Sequence, residues 1–282
     1  ITILKDMKRK ILMGIIPFVI VAVCVGFLNG CNKSAQAPTD NVERDCMYQV
    51  STLQALVAGH FYGVTDVADI LAHGDIGVGT FEGAEGEMIV LDGVCYKALA
   101  DGTVQVMGEE TPVPFAVYTW FEADDTKTFK GNYDMETLKA ALDSITLKQG
   151  ANTFYVAKIK GKFPEMKVRA VTKQQEPYAE LVEVMKTSQV MFDYEDVVGT
   201  LVAVYCPPYV AGVNAVGWHI HFLSDDKSKG GHVLDLSMTD GAMEIDRTDA
   251  FHMELPNDDK FNALDLTGRD KEIGKVEQGS AS

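Results

Sequence analysis

"GWHIHFLSDDKSKGGHVLD", residues 217–235, holds three of the chain's six histidines. "WHIHFL" alternates apolar and imidazole side chains, the period of an extended strand. In a strand, Trp218, Ile220 and Phe222 share one face, and His219 and His221 share the other. "SDDKSKGG" is polar and ends in glycines, so it reads as a turn, and His232 opens the returning strand. If His221 lies opposite His232, three imidazoles meet on one patch. The plainer alternative is a set of hydrogen-bonded structural histidines. Three of them on one strand face are costly to bury without a partner, which favours a metal. Zinc takes imidazole nitrogens at about 2.0–2.1 Å in a tetrahedron, and three protein ligands leave a position for substrate or water. His219, His221 and His232 are therefore the predicted zinc ligands. His60, His73 and His252 stand apart and read as structural or exposed.

Upstream, the chain mixes helices with short strands. "STLQALVAGHF" (51–61) has helix-start residues followed by Leu53, Leu56, Val57 and Phe61 at helical spacing, and "TDVADILAHGD" offers a second helix. Asp92-Gly93 and Asp101-Gly102 sit between β-formers and predict consecutive hairpins. "FAVYTWF" (115–121) reads as a strand and "YDMETLKAALDSI" (133–145) as an amphipathic helix. "NTFYVAKIKGKFPEMKVRAV" returns to strands, and "PYAELVEVMKTS" gives a helix with Pro177 near its start. The final third is β-rich. The expected fold is α+β: mixed, largely antiparallel sheets with packed helices in two sub-domains. Their expected extents are an N-terminal α/β unit (46–165) and a C-terminal β-rich unit (166–282) carrying the zinc site on its hairpin.

The 282 residues carry a formal charge of -16 and are 46% hydrophobic. That composition fits a globular protein with a sizeable core, and an acidic surface excludes nucleic acid as the expected partner. "MKRKILMGIIPFVIVAVCVGFLNGC" (7–31) has a basic start, an apolar run and small residues before Cys31, the layout of an export signal. "LNGC" (28–31) resembles a bacterial lipobox. Residues 1–30 are therefore expected to be a lipoprotein-type signal peptide, Cys31 the lipidation site, and 31–45 a flexible tether. The protein is then exported and touches membrane only through a lipid anchor at the cell envelope. An uncleaved apolar anchor is the alternative. Cys46, Cys95 and Cys206 are too few and too widely spaced for a disulfide framework or zinc ribbon.

Cupins and α-carbonic anhydrases also place His-X-His on a strand. Here no glutamate follows at the cupin position, and no histidine follows His232 where the anhydrases need one. Several blocks taken in order instead resemble the α-acetolactate decarboxylase family: "YQVSTLQALVAGHFYG" (48–63), "LAHGDIGVGTFEGAEGEMIVLDGVCY" (71–96), "TPVPFAVYTWF" (111–121) and the histidine hairpin. The resemblance spans about Tyr48 to Glu277. It implies decarboxylation of 2-acetolactate to acetoin and carbon dioxide, with zinc as a Lewis-acid electron sink and no organic cofactor. It also implies roles for Glu87, Arg169 and Glu277 as catalytic groups, with Thr80 and Arg169 lining the substrate site. By pattern alone Glu87 would face solvent and Arg169 would serve equally as a surface ion-pair partner. The expected partner is a small 2-hydroxy-3-keto acid, with a homodimer left open. The competing expectation is an exported zinc- or solute-binding lipoprotein on the same scaffold without turnover.

Overall fold

The computed structural model describes residues 43–277. The expected signal peptide, Cys31 and all but the last residues of the tether lie outside that range. Among the described residues no helix is long and apolar enough to cross a membrane. In chain order the elements begin with β1 (Cys46–Val50), α1 (Leu53–Val57), β2 (Thr65–Asp66), α2 (Val67–His73), β3 (Ile76–Thr80), β4 (Glu87–Leu91), β5 (Val94–Ala98) and β6 (Val104–Val106). There follow β7 (Pro112–Val113), β8 (Phe115–Thr119), β9 (Asp125–Asp134), α3 (Met135–Gln149), β10 (Phe154–Val171), α4 (Leu181–Ser188) and β11 (Gln189–Cys206). The chain closes with β12 (Gly217–Ser224), β13 (Gly230–Thr248), β14 (Ala250–Glu254), α5 (Asp259–Asn262) and α6 (Asp270–Glu277).

A seven-stranded sheet has the order β14-β1-β8-β3-β4-β5-β6, and a five-stranded sheet the order β10-β11-β12-β13-β9. In these sheets only the β1–β14 pair is parallel. A further β10–β13 pairing closes β10, β11, β12 and β13 into a ring. The expected largely antiparallel α+β architecture is therefore observed, but its division is not. The expected boundary at 165/166 falls inside β10, whose 18 residues run through it as one strand. β10 pairs along its length with β11 and β13, so a cut there would break both ladders.

Local sequence explains the elements. Thr52 caps α1, its hydroxyl oxygen accepting from the Ala55 amide, and Asp134 caps α3 in a reciprocal capping box with Thr137. The Asp92-Gly93 hairpin between β4 and β5 has φ of 51° and 75°, the left-handed pair that a two-residue turn requires. The predicted helix at 51–61 is shorter than expected, because Gly59 leaves the helical region at φ 88°.

The two sheets pack face to face. Ile76, Val78, Ile89 and Val117 of the first meet Val156, Val202, Val204 and Leu223 of the second. The opposite face of the first sheet, with Met88, Val90 and Tyr118, is covered by α2 through Val67 and Ile70. β4 is thus buried on both faces. Glu87, alternating with Ile89 and Leu91, points between the sheets rather than to solvent, which corrects the reading from pattern alone. The opposite face of the second sheet packs Phe163, Leu201, Phe222 and Met238 with Leu138 and Leu142 of α3. At one end α1, α4 and α6 form a helical cap in which Leu53, Leu56, Leu181, Ile273 and Val276 are buried together.

Two irregularities turn key residues toward the inter-sheet space. Up to Phe163 the odd-numbered residues of β10 face the α3 side, whereas Met166 and Val168 face it afterwards. The Pro164–Asp196 pair is missing from the β10–β11 ladder, and Asp196 has φ 49°. Proline cannot donate to a ladder, so both strands break their alternation here. The second irregularity is a bulge: Lys167 pairs with Asp235 but Val168 with Val233, leaving Leu234 extra. Beyond it Arg169 pairs with His232, which in turn pairs with His221. Gly231 lies at the close approach of β13 to β10, where a Cβ would sit 2.6 Å from the Arg169 carbonyl oxygen.

Cys46, Cys95 and Cys206 are all free and buried. Asp246 on β13 is also buried, and it accepts from the Glu122 amide at 3.2 Å. Burial, reinforced by Asp124, Asp45 and Glu122, pushes its carboxyl up to about 7. With an unfolded value near 3.9, this group takes up a proton on folding. Its contribution is therefore present below about pH 4 and is lost as pH rises through about 7. Asp246→Asn keeps an acceptor for the Glu122 amide, so it should raise Tm above wild type at about pH 8, the gap closing toward pH 4. A gap independent of pH in thermal unfolding would contradict this.

Candidate metal centre and active site

β12 presents His219 and His221 on the face it shares with Leu223, toward the seven-stranded sheet, while Trp218, Ile220 and Phe222 face the opposite core. The Nε2 atoms of His219 and His221 lie 3.0 Å apart, and His219 Nε2 lies 3.0 Å from His232 Nδ1. The third edge, His232 Nδ1 to His221 Nε2, is 3.3 Å. A tetrahedral ion with bonds of about 2.0–2.1 Å holds its ligand nitrogens roughly 3.3–3.4 Å apart. The triangle matches that spacing to within a few tenths of an ångström.

The outer ring nitrogens decide what the inner ones offer. His221 Nδ1 donates to the Met88 carbonyl at 2.7 Å, and His232 Nε2 donates to the Glu277 carbonyl at 3.0 Å. Each neutral ring has one proton, so those bonds leave His221 Nε2 and His232 Nδ1 as bare lone pairs. A single proton on His219 Nε2 could satisfy one of them, not both. Protonating the rings is no remedy. Burial depresses the proton affinity of all three, holding His219 down at about 3 and His221 and His232 well below the ordinary histidine value. Three neutral rings aiming lone pairs at one point make a donor set that fits a divalent cation.

Two carboxylates flank this point. Glu87 Oε2 lies 3.6 Å from His221 Nε2, and Glu277 Oε2 lies 3.7 Å from His219 Nε2. Burial pushes Glu87 up to about 8 against the pull of Arg169, with Glu277 adding to the rise. Glu277 is pushed up to about 6 by the same cause, against Arg169 and Lys139. Arg169 is almost wholly buried, its Nε 3.9 Å from Glu87 Oε1. Its Nη1 donates to the Val276 carbonyl, while Nε has no hydrogen-bond partner. Thr80 lies on β3, its hydroxyl donating to the Gly86 carbonyl at 2.9 Å.

All seven residues expected at the site are therefore brought together. Thr80, Glu87, Arg169, His219, His232 and Glu277 line one small cavity of about 40 Å³, with His221 behind it. A larger cavity of about 390 Å³ reaches His219, His232 and Glu277 from outside. The remaining histidines stay apart: His60 pairs with Asp258 at 3.0 Å, His73 bonds the Asp69 carbonyl, and His252 packs on Tyr48. Sequence reasoning missed the carbonyls of Met88, Val276 and Glu277, which orient three of the site's cations and imidazoles. Backbone acceptors carry no residue signature.

A sequence profile described as alpha-acetolactate decarboxylase matches residues 47–268. The chain belongs to the alpha-acetolactate decarboxylase family. An alpha-acetolactate decarboxylase of Methanosarcina mazei is 42% identical over 239 residues, covering 84% of this chain and 82% of that protein. One from Brevibacillus brevis is 37% identical over 79% of this chain and 78% of its own. The crystal structure of alpha-acetolactate decarboxylase from Bacillus subtilis strain 168 matches at TM-score 0.80 and 32% identity, over 83% of this chain and all of that one. Family members of this kind are carboxy-lyases, and the histidine hairpin, both glutamates and Arg169 lie within one site of the shared fold.

Replacing His221 with Gln leaves the Ile220 and Phe222 packing untouched and removes one converging lone pair. Affinity for a divalent cation should fall by more than the roughly 10–100-fold that loss of a supporting hydrogen bond costs. Elemental analysis after dialysis, beside an unchanged thermal transition, would check it. Wild-type metal content in the variant would contradict the assignment of the three rings.

Proposed function

We propose that the protein decarboxylates 2-acetolactate to acetoin and carbon dioxide at a zinc ion held by His219, His221 and His232. The observation that carries this reading is the triangle of converging imidazole nitrogens, bordered by Glu87, Arg169 and Glu277, in a chain of this family. Bound there, zinc would supply Lewis acidity toward the ketone oxygen on which negative charge builds.

The chain's own residues account for the rest of the reaction. The bond between the carboxylate and the tertiary carbon breaks, and its electron pair moves toward the adjacent carbonyl. Carbon dioxide leaves, and one proton must be added at carbon. Arg169 has a free Nε edge toward Glu87 and the small cavity, where a guanidinium orients a carboxylate through paired N–H bonds. Its grip serves the reaction by fixing which bond lies perpendicular to the carbonyl plane; a contact equally strong before and after bond breaking would not speed the step. Glu87, kept in its acid form near neutral pH by burial, holds a proton beside the histidines and can deliver it. Glu277 lies across the site and is the second candidate donor. The sheets and helical cap bury Glu87, Arg169 and the histidines, which strengthens each of these interactions.

The N-terminal sequence supports an envelope location, with residues 1–30 removed and Cys31 carrying the lipid anchor. The mass of the mature N-terminal peptide distinguishes acylated Cys31 from an uncleaved anchor.

Zinc-loaded protein should release acetoin from racemic acetolactate, lose that activity to a chelator and regain it on adding zinc. Metal-replete protein giving no acetoin above the spontaneous rate would refute the proposal and favour a binding protein without turnover. Glu87→Gln should retain zinc while kcat falls roughly 10²- to 10⁴-fold, the range of general-acid contributions. Arg169→Lys keeps charge but loses the planar fork, and kcat/KM should fall roughly 10- to 100-fold.

A further inference from the structure

The larger cavity beside the histidines is lined by two acids, Asp270 and Glu277, and by one cation, Lys139 of α3. It is the face of the site that has room for a small organic acid, since the inner cavity is about a tenth of its volume. Lys139 is half-buried and makes no ion pair among the described residues. Its natural helical partner one turn on, Asp143, is engaged elsewhere. Asp143 accepts the indole N–H of Trp218 at 3.0 Å, and Trp218 is on the cavity wall. Asp270 sits on the same wall without pairing to Lys139. A cation with no close ion pair among the described residues thus lines a cavity in a chain of net charge -16.

We infer that Lys139 is a positioning residue that draws the substrate's carboxylate through the outer cavity to the histidine site. The inference rests on the decarboxylase reading above. An anion entering this mouth meets the charges of Asp270 and Glu277, which repel it, and Lys139 offsets them. A charge on the wall of a cavity is less screened than one on an open surface, so a lysine there acts more strongly. Lys139 touches no reacting atom in this scheme. Its effect belongs in capture rather than in the chemical step.

The test uses zinc-loaded wild type, Lys139→Gln and Lys139→Arg. In Lys139→Gln, KM for acetolactate should rise roughly three- to ten-fold with kcat unchanged. Lys139→Arg should restore most of the loss. Wild-type kcat/KM should fall as salt rises from about 20 to about 200 mM, while the Gln variant responds less steeply. Calorimetric binding of 2,3-dihydroxy-2-methylbutanoate, a carboxylate lacking the ketone and unable to decarboxylate, should weaken in Lys139→Gln in parallel. That measurement separates the two ideas: wild type that binds this acid through Lys139 but forms no acetoin sinks the decarboxylase reading alone. Unchanged KM, salt response and acid binding in Lys139→Gln would overturn the inference, as would a fall in kcat at constant KM.

Discussion

Three buried imidazole lone pairs are held within 3.3 Å of one another, and the rest of the structure is arranged around that cost. Burying unpaired polar groups is unfavourable by several kcal/mol on the scale of about 2–7 for each. The protein meets the outward half of the problem for two of the rings, giving His221 and His232 carbonyl acceptors from β4 and from the end of α6, while His219 Nδ1 is buried without a partner. The inward half is left for a cation. A site that is strained when empty and satisfied when filled couples metal binding to the stability of the sheets that carry it.

That coupling explains why the site lies where five separate elements meet. β12 and β13 supply imidazoles, β10 the guanidinium, β4 one carboxylate and α6 the other. Each comes from a different distance along the chain, and none is placed by a neighbour in sequence except within the hairpin. The helical cap is more than a cover. Ile273 and Val276 bury α6 against α1 and α4, and this packing sets the carbonyls of Val276 and Glu277 against Arg169 and His232. Apolar burial at one end of the molecule is thereby converted into the orientation of polar groups at the other face of the same helix.

The elements themselves were legible to different degrees. Asp92-Gly93 announced its hairpin because a two-residue turn needs left-handed backbone there, and Asp134 with Thr137 closed the cap that the start of the 133–145 helix required. The long strands were harder. Pro164 in β10 and Gly241 in β13 interrupt the apolar pattern without ending either strand, so neither the length of these strands nor the absence of a boundary at 165 is legible locally. Pro164 breaks alternation while the ladder continues on both sides of it. Glu87 misled for a related reason: alternation tells which residues share a face, but not whether that face meets solvent or a second sheet.

The histidine hairpin is where sequence alone carried furthest. Period-two alternation put His219 and His221 on one side of a strand, and a short polar turn brought His232 opposite His221, since hairpin register follows from local chemistry. Their family kinship was likewise written in contiguous blocks. What only the tertiary structure decided is the direction of Arg169 and the company of the histidines. Counting from Tyr155, Arg169 would fall in the apolar core beside α3; the break at Pro164 and Asp196 turns it to the site. The extra Leu234 likewise allows Val233 and His232 to point to opposite faces in step with β10. Such breaks depend on which strands lie alongside, and the burial that shifts Glu87 and Glu277 depends on a second sheet and a terminal helix far away in sequence. Local spacing can specify a set of ligands, whereas the field around them is a property of everything packed against it.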